Sequence, residues 1–204
     1  TFEFSWHGES PRMAVPWAFK KRWARELDHV LQQLDHDPKV TGRKETRPKI
    51  IYSFSGPGAS ALQLISHRYN HGLFDVVGFI GDSGPFTDPW FCTNNMIREL
   101  YRVNDPIKRK IILSGMMLMW GLQHGEKIRK HVAVISDIKP EFPILSFRPE
   151  KDILVPPEQI DEVFKDQGLR NLNAVVLKGC GHLTALKQDP TQYKAVLRQF
   201  LSQF

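Results

Sequence analysis

The chain has 204 residues, of which 41% are hydrophobic and 25% charged, and a net charge of +6. This is the composition of a single globular domain over residues 1–204, and it excludes a repetitive, fibrous or disordered chain. The Lys and Arg residues are dispersed and do not interleave with aromatics on a strand, which excludes a nucleic-acid-reading sheet and leaves solvated helix faces with a weak attraction to anionic membrane surfaces.

Phe2 and Phe4 alternate with polar residues, as at the end of a strand. Pro16 precedes a helix from Trp17 whose Phe19, Trp23, Leu27, Val30, Leu31 and Leu34 share one face. A charged connection over 35–48 leads into a strand over 49–54. Ser55-Gly56-Pro57-Gly58 follows, then a helix from about Gly58 to Tyr69 that ends at His71-Gly72. Strand, sharp turn and helix put Ser55 at an apex, as in a nucleophile elbow. A plain β-α turn that contains a serine explains this stretch alone equally well.

Residues 76–80 predict a short buried strand that ends at Gly81-Asp82-Ser83-Gly84-Pro85. From about 86 to 139 no strand is visible. Helices are expected over 94–103 and 106–130, the second built on the apolar run Ile111–Leu122. That run is shorter than the roughly 20 residues of a membrane-spanning helix. The segment reads equally as a helical lid or as a crossover helix pair. A strand over 142–147 leads to a turn holding Asp152, then to a helix from about Pro157 with Ile160, Val163 and Phe164 inward. A last strand over 174–177 ends at Gly179-Cys180-Gly181-His182. A closing helix from about Pro190 is expected to bury Tyr193, Val196, Leu197, Phe200, Leu201 and Phe204. The alternation predicts an α/β fold, a mostly parallel sheet flanked by helices, with ligand sites at the carboxyl ends of its strands.

Ser55, Asp152 and His182 lie at three such strand ends, in that order. A serine hydroxyl needs a base to take its proton, a neutral imidazole is such a base, and a carboxylate fixes the imidazole tautomer. Gly179 and Gly181 let the histidine loop bend, and the N–H of Gly56 is a candidate oxyanion donor. Singly, each residue has an ordinary explanation, a loop histidine or an aspartate turn. Jointly, the order Ser-Asp-His is that of α/β-hydrolases. Asp82 is an alternative acid from an earlier strand end, although it and Ser83 read more simply as turn residues. Gly81-Asp82-Ser83-Gly84-Pro85 also looks like a trypsin-type serine motif, but those proteases are all-β with the histidine upstream. The other seven histidines are expected at the surface. Met116, Met119 and Trp120 are candidate contacts for a lipophilic acyl group, core packing being the plainer reading. Cys92 and Cys180 form neither a disulfide framework nor a metal-ligand spacing, and no cofactor motif is present.

These motifs resemble the transmembrane protein 53/PaxU-like family of α/β-hydrolase-fold proteins. The family's elbow matches Phe54-Ser55-Gly56-Pro57-Gly58. Its Gly-x-Ile-x-Asp-Ser-x-Pro segment matches Gly78 to Pro85, and its histidine segment matches Gly181-His182 and Pro190-Thr191-Gln192-Tyr193. The resemblance implies an acid at Asp152. Two departures stand out. Pro57 replaces a glycine in a tight turn, where a bulkier residue strains the elbow, although it leaves the Gly56 N–H in place and proline is acceptable in the first turn of a helix. The amino-terminal strands of the family are missing, with the loop that would give a second oxyanion donor, which implies a fragment or processed product.

The sequence thus points to a serine hydrolase of small-molecule ester or acyl substrates, with a lipophilic acyl group favoured. An intracellular, peripherally membrane-associated setting is expected. The competing reading is a non-catalytic protein of the same fold that binds a partner or a membrane surface.

Overall fold

Ile144 to Pro149 is buried at every position. Such a run suits a strand flanked by other strands and covered on both faces. In the computed structural model, which describes residues 28, 29, 31, 48–120 and 125–204 (backbone only at 118–120, 125 and 126), that strand is internal to a sheet. The strands are β1 (Lys49–Phe54), β2 (Val76–Asp82), β3 (Ile144–Pro149) and β4 (Leu172–Leu177), parallel and in the order β1-β2-β3-β4. Register pairs Phe54 with Asp82, Asp82 with Phe147, and Pro149 with Leu177, so the carboxyl ends of all four strands lie along one rim.

The helices are α1 (Gly58–Asn70), α2 (Pro89–Glu99), α3 (Pro106–Trp120), α4 (Gly125–Ile138), α5 (Pro157–Phe164), the short α6 (Ala185–Gln188) and α7 (Pro190–Leu201). Leu62, Leu64 and Ile65 of α1, Val132 and Ile135 of α4, and Ile160 and Val163 of α5 share one core with Phe79 and Ile144 of the sheet. With the sheet order β1-β2-β3-β4, crossovers of one hand, the rule for parallel strands, bring these helices to the same face. The opposite face carries Ile80, Leu145, Phe147 and Leu177, which pack against Tyr193 and Phe200 of α7. Phe147 stacks on Tyr193 with centroids 4.2 Å apart.

The segment between β2 and β3 is helical in its described residues, as expected. α4 packs against α1 and is the crossover helix. α2 and α3 pack on each other. Residues 106–120 and 125–138 are helical, so helix runs beyond the expected 130, and the helix expected over 94–103 spans Pro89–Glu99 because Asp88 caps it through Phe91 N. α7 also departs from expectation: Tyr193 and Phe200 are buried, but Leu201 and Phe204 lie at the exposed end of the chain. The expected strand at residues 1–5 lies outside the described residues. So does the helix from Trp17, except at Asp28, His29 and Leu31, which are helical. Among the described residues no helix is long and apolar enough to cross a membrane.

Candidate active site

β1 ends at Phe54, and the chain turns into α1 through Ser55-Gly56-Pro57. Ser55 takes φ +52°, a region that side chains rarely adopt. Long-range bonds hold it there: Ser55 N donates to Asp82 O at 2.8 Å, and Gly58 N donates to Ser55 O at 3.1 Å. Gly84 closes the turn from the other side. A Cβ on it would lie 2.4 Å from Ser55 O and 2.8 Å from Ser55 Cα. Gly84→Ala is therefore expected to cost about 1–3 kcal/mol, read as a lowered Tm in thermal unfolding, because the elbow has no room to yield.

Pro57 does not distort the turn. It sits at the N-cap of α1 with φ −52° and ψ −21°, where a proline ring fits and no N–H is needed. The Gly56 N–H has no acceptor among the described residues and lies at the amino end of α1, where partial positive charge accumulates.

Asp152 and His182 lie in the turns after β3 and β4. Asp152 has a fully buried side chain. Its Oδ1 accepts from Leu154 N at 3.0 Å and Val155 N at 2.8 Å, and its Oδ2 accepts from His182 Nδ1 at 2.7 Å. An ionised carboxylate is an acceptor only, so Nδ1 carries a proton, and in the neutral ring the lone pair is then on Nε2. Lys151 N donates to Cys180 O at 2.8 Å and Gly179 N to Glu150 Oε2 at 2.9 Å, which ties the two loops together. Gly181 N is held by Thr184 Oγ1 at 2.9 Å.

Asp152 and His182 are thus in direct contact. Ser55 and His182 are brought to the same neighbour, the Asp82-Ser83 dipeptide: Ser55 N bonds Asp82 O, and Leu183 N bonds Ser83 Oγ at 3.2 Å. Ser55 Oγ itself has no hydrogen-bond partner among the described residues. Catalytic hydrogen bonds are commonly long without substrate. Asp82 makes no hydrogen bond to His182. It accepts from Tyr193 OH at 2.6 Å and from Ser83 Oγ at 2.9 Å. Burial pushes its carboxyl pKa up, against the pull of those hydroxyls and of His182.

No protein-family model matches the chain, and no curated protein matches it in sequence. Solved structures do. An esterase of Pyrococcus furiosus, Pf2001, superposes with a TM-score of 0.62 and 16% identity over 89% of this chain and 61% of its own. MGS-MChE2, an α/β-hydrolase enzyme from the sediment metagenome of the Mar Chica lagoon, Morocco, gives 0.53 and 14% over 90% of this chain and 70% of its own. A monoacylglycerol lipase of Paleococcus ferrophilus gives 0.54 and 13% over 90% and 75%. The fold is that of the α/β-hydrolases. The chain spans about three-fifths of the length of Pf2001.

β1, the turn at Ser55 and α1 form a strand-turn-helix unit. The turns after β3 and β4 carry Asp152 and His182 on the same rim. The alternative acid, Asp82, is engaged elsewhere. Of the residues expected to meet substrate, Met116 on α3 is half buried, and the side chains of Met119 and Trp120 lie outside the described residues. His131, expected at the surface, is half buried on α4 with Nδ1 3.3 Å from Ser66 Oγ, and burial holds its pKa down. The depression at the opposite rim, beside Pro48, Leu73 and Phe74, has no free catalytic group: its Arg68 is committed to Asp75 at 2.8 and 2.9 Å and to Asp28. Among the described residues no three His, Cys, Asp or Glu side chains cluster as metal ligands. The sequence read Ser83 as a turn residue and Tyr193 as buried, and both are so. The Gly78–Pro85 motif marked the place but not the bonds.

Proposed function

We propose that this chain is a serine hydrolase of ester or related acyl bonds. The observation that carries the reading is the buried Asp152 paired to His182 Nδ1, on the rim where Ser55 stands at positive φ. Ser55 Oγ attacks the acyl carbon as His182 Nε2 takes its proton. Asp152 stabilises the imidazolium that forms. The unpaired Gly56 N–H donates to the developing oxyanion. The imidazolium then protonates the leaving alcohol, and water repeats the sequence to release the acid. The esterase and lipase among the superposing structures support an ester bond. We assign α2 and α3 as a lid, with Met116, Met119 and Trp120 of α3 as contacts for a lipophilic acyl group. The test is hydrolysis of p-nitrophenyl esters of graded acyl length by the full-length chain. Turnover that improves with acyl length is expected, and no turnover of any ester would overturn the reading.

A second reading, a peripheral membrane module, is favoured by one observation. Ile107 and Ile111 of α3 are 72% and 68% exposed beside the exposed Lys108 and Lys110. Apolar and cationic side chains together suit an anionic lipid surface. On this reading the full-length chain cosediments with phosphatidylserine vesicles. Ile107→Glu with Ile111→Glu is then expected to weaken that binding at least about tenfold, since each buried isoleucine contributes roughly 1.5–3 kcal/mol. Binding indifferent to the substitutions would remove α3 from the contact.

A further inference from the structure

Three non-glycine residues at positive φ gather at one place: Ser55 at +52°, Ser83 at +57° and Leu183 at +52°. Side chains in this region cost energy and persist only where their surroundings over-determine them. Here the surroundings are one chain of hydrogen bonds whose polarity is fixed by its ends. Leu183 N–H can only donate, so Ser83 Oγ accepts it at 3.2 Å. The Ser83 proton is therefore free to go to Asp82 Oδ1 at 2.9 Å. Tyr193 of α7 gives its proton to Asp82 Oδ2 at 2.6 Å, and Tyr52 OH in turn meets the Tyr193 oxygen. Both Asp82 and Ser83 are buried. On the main chain, Asp82 O accepts Ser55 N at 2.8 Å, and Ser83 N donates to Phe147 O at 3.1 Å. One dipeptide therefore grips the serine turn with its backbone and the histidine turn with its side chain.

Resting on the serine-hydrolase reading, we infer that Ser83 is a positioning residue: its hydroxyl, oriented by Asp82 and Tyr193, holds the turn at Leu183 so that His182 stands over Ser55. Asp152 fixes the tautomer and the ring plane, but it lies on the far side of the imidazole and cannot set the distance from Nε2 to Oγ. The Ser83 tether can, because it acts on the residue that follows His182. Ser83 touches neither substrate nor the reacting atoms.

The test is the rate at which a fluorophosphonate labels Ser55 in the full-length chain. Ser83→Ala removes the hydroxyl. Ser83→Gly removes it too and takes positive φ without strain, so it covers the case in which the alanine variant does not fold. Either is expected to label about 10–100-fold more slowly, the effect of a small misplacement of a catalytic group. If Ser83 acts through His182, adding the substitution to His182→Ala costs no more than about twofold further, whereas a general loss of structure multiplies the two effects. Hydrogen exchange at the Leu183 amide is expected to quicken at least about tenfold in both variants. A glycine variant that labels like the native chain, or effects that multiply, would overturn the positioning role. Unchanged exchange at Leu183 would remove the tether itself. A native chain that does not label at Ser55 would sink the hydrolase reading and the positioning role with it, while the exchange measurement still decides the tether.

Discussion

Ser55→Ala is expected to abolish ester turnover by the full-length chain, a loss of about 10⁴-fold or more. The serine is the only proposed group that forms a bond to substrate. Its neighbours offer no replacement. Ser53 is buried within β1. Ser83 is buried with its proton committed to Asp82 and its lone pair to Leu183 N. The substitution removes one oxygen from a turn held by backbone bonds, Ser55 N to Asp82 O and Gly58 N to Ser55 O, so the fold is retained. Steady-state hydrolysis beside a thermal melt checks both parts. Alanine does leave a side chain at φ +52°, as serine does, so no new strain enters.

Asp152→Asn is the second large effect, about 10⁴-fold in kcat with little change in stability. The cause is a forced tautomer. Oδ1 accepts two backbone N–H groups, from Leu154 and Val155. An asparagine keeps those bonds only by placing its carbonyl oxygen there, which turns its amide NH2 toward His182. Nδ1, now 2.7 Å from a carboxylate oxygen, would then have to accept a proton it presently donates. The ring proton moves to Nε2, and the base that should take the Ser55 proton is occupied. The two retained amide bonds are why stability is spared. A loss in kcat with a Tm within a few degrees of native checks this. An equal fall in both would show that Asp152 serves the fold and not the imidazole.

Much of this was legible in the chain itself. Strands β1, β2 and β3 and helices α1 and α5 follow from short apolar runs and from the periodic Leu62, Leu64, Ile65 and Ile160, Val163, Phe164. The Asp152–His182 contact follows from two strand ends on one rim. What stayed hidden depends on partners far apart in sequence. Leu183 N meets Ser83 Oγ across 100 residues, and nothing near either one marks it. α4 runs on to Ile138, past the helical pattern expected over 106–130, because it owes its place to the core it shares with α1. Leu201 keeps the apolar period of α7 yet is exposed, and Phe204, just past the helix, is half exposed with its ring edge over Gly78 and against Phe200. Of the two readings of Pro57, a strained turn or a proline accepted at the helix start, the second holds, because the N-cap supplies the φ that a proline ring already has.

The most direct measurement is to treat the full-length chain with a fluorophosphonate, digest it, and locate the adduct by mass spectrometry. A single adduct on Ser55, absent after His182→Ala over the same interval, is the predicted result. An adduct on Ser83 or Ser60, or none on the folded chain, would contradict Ser55 as the nucleophile.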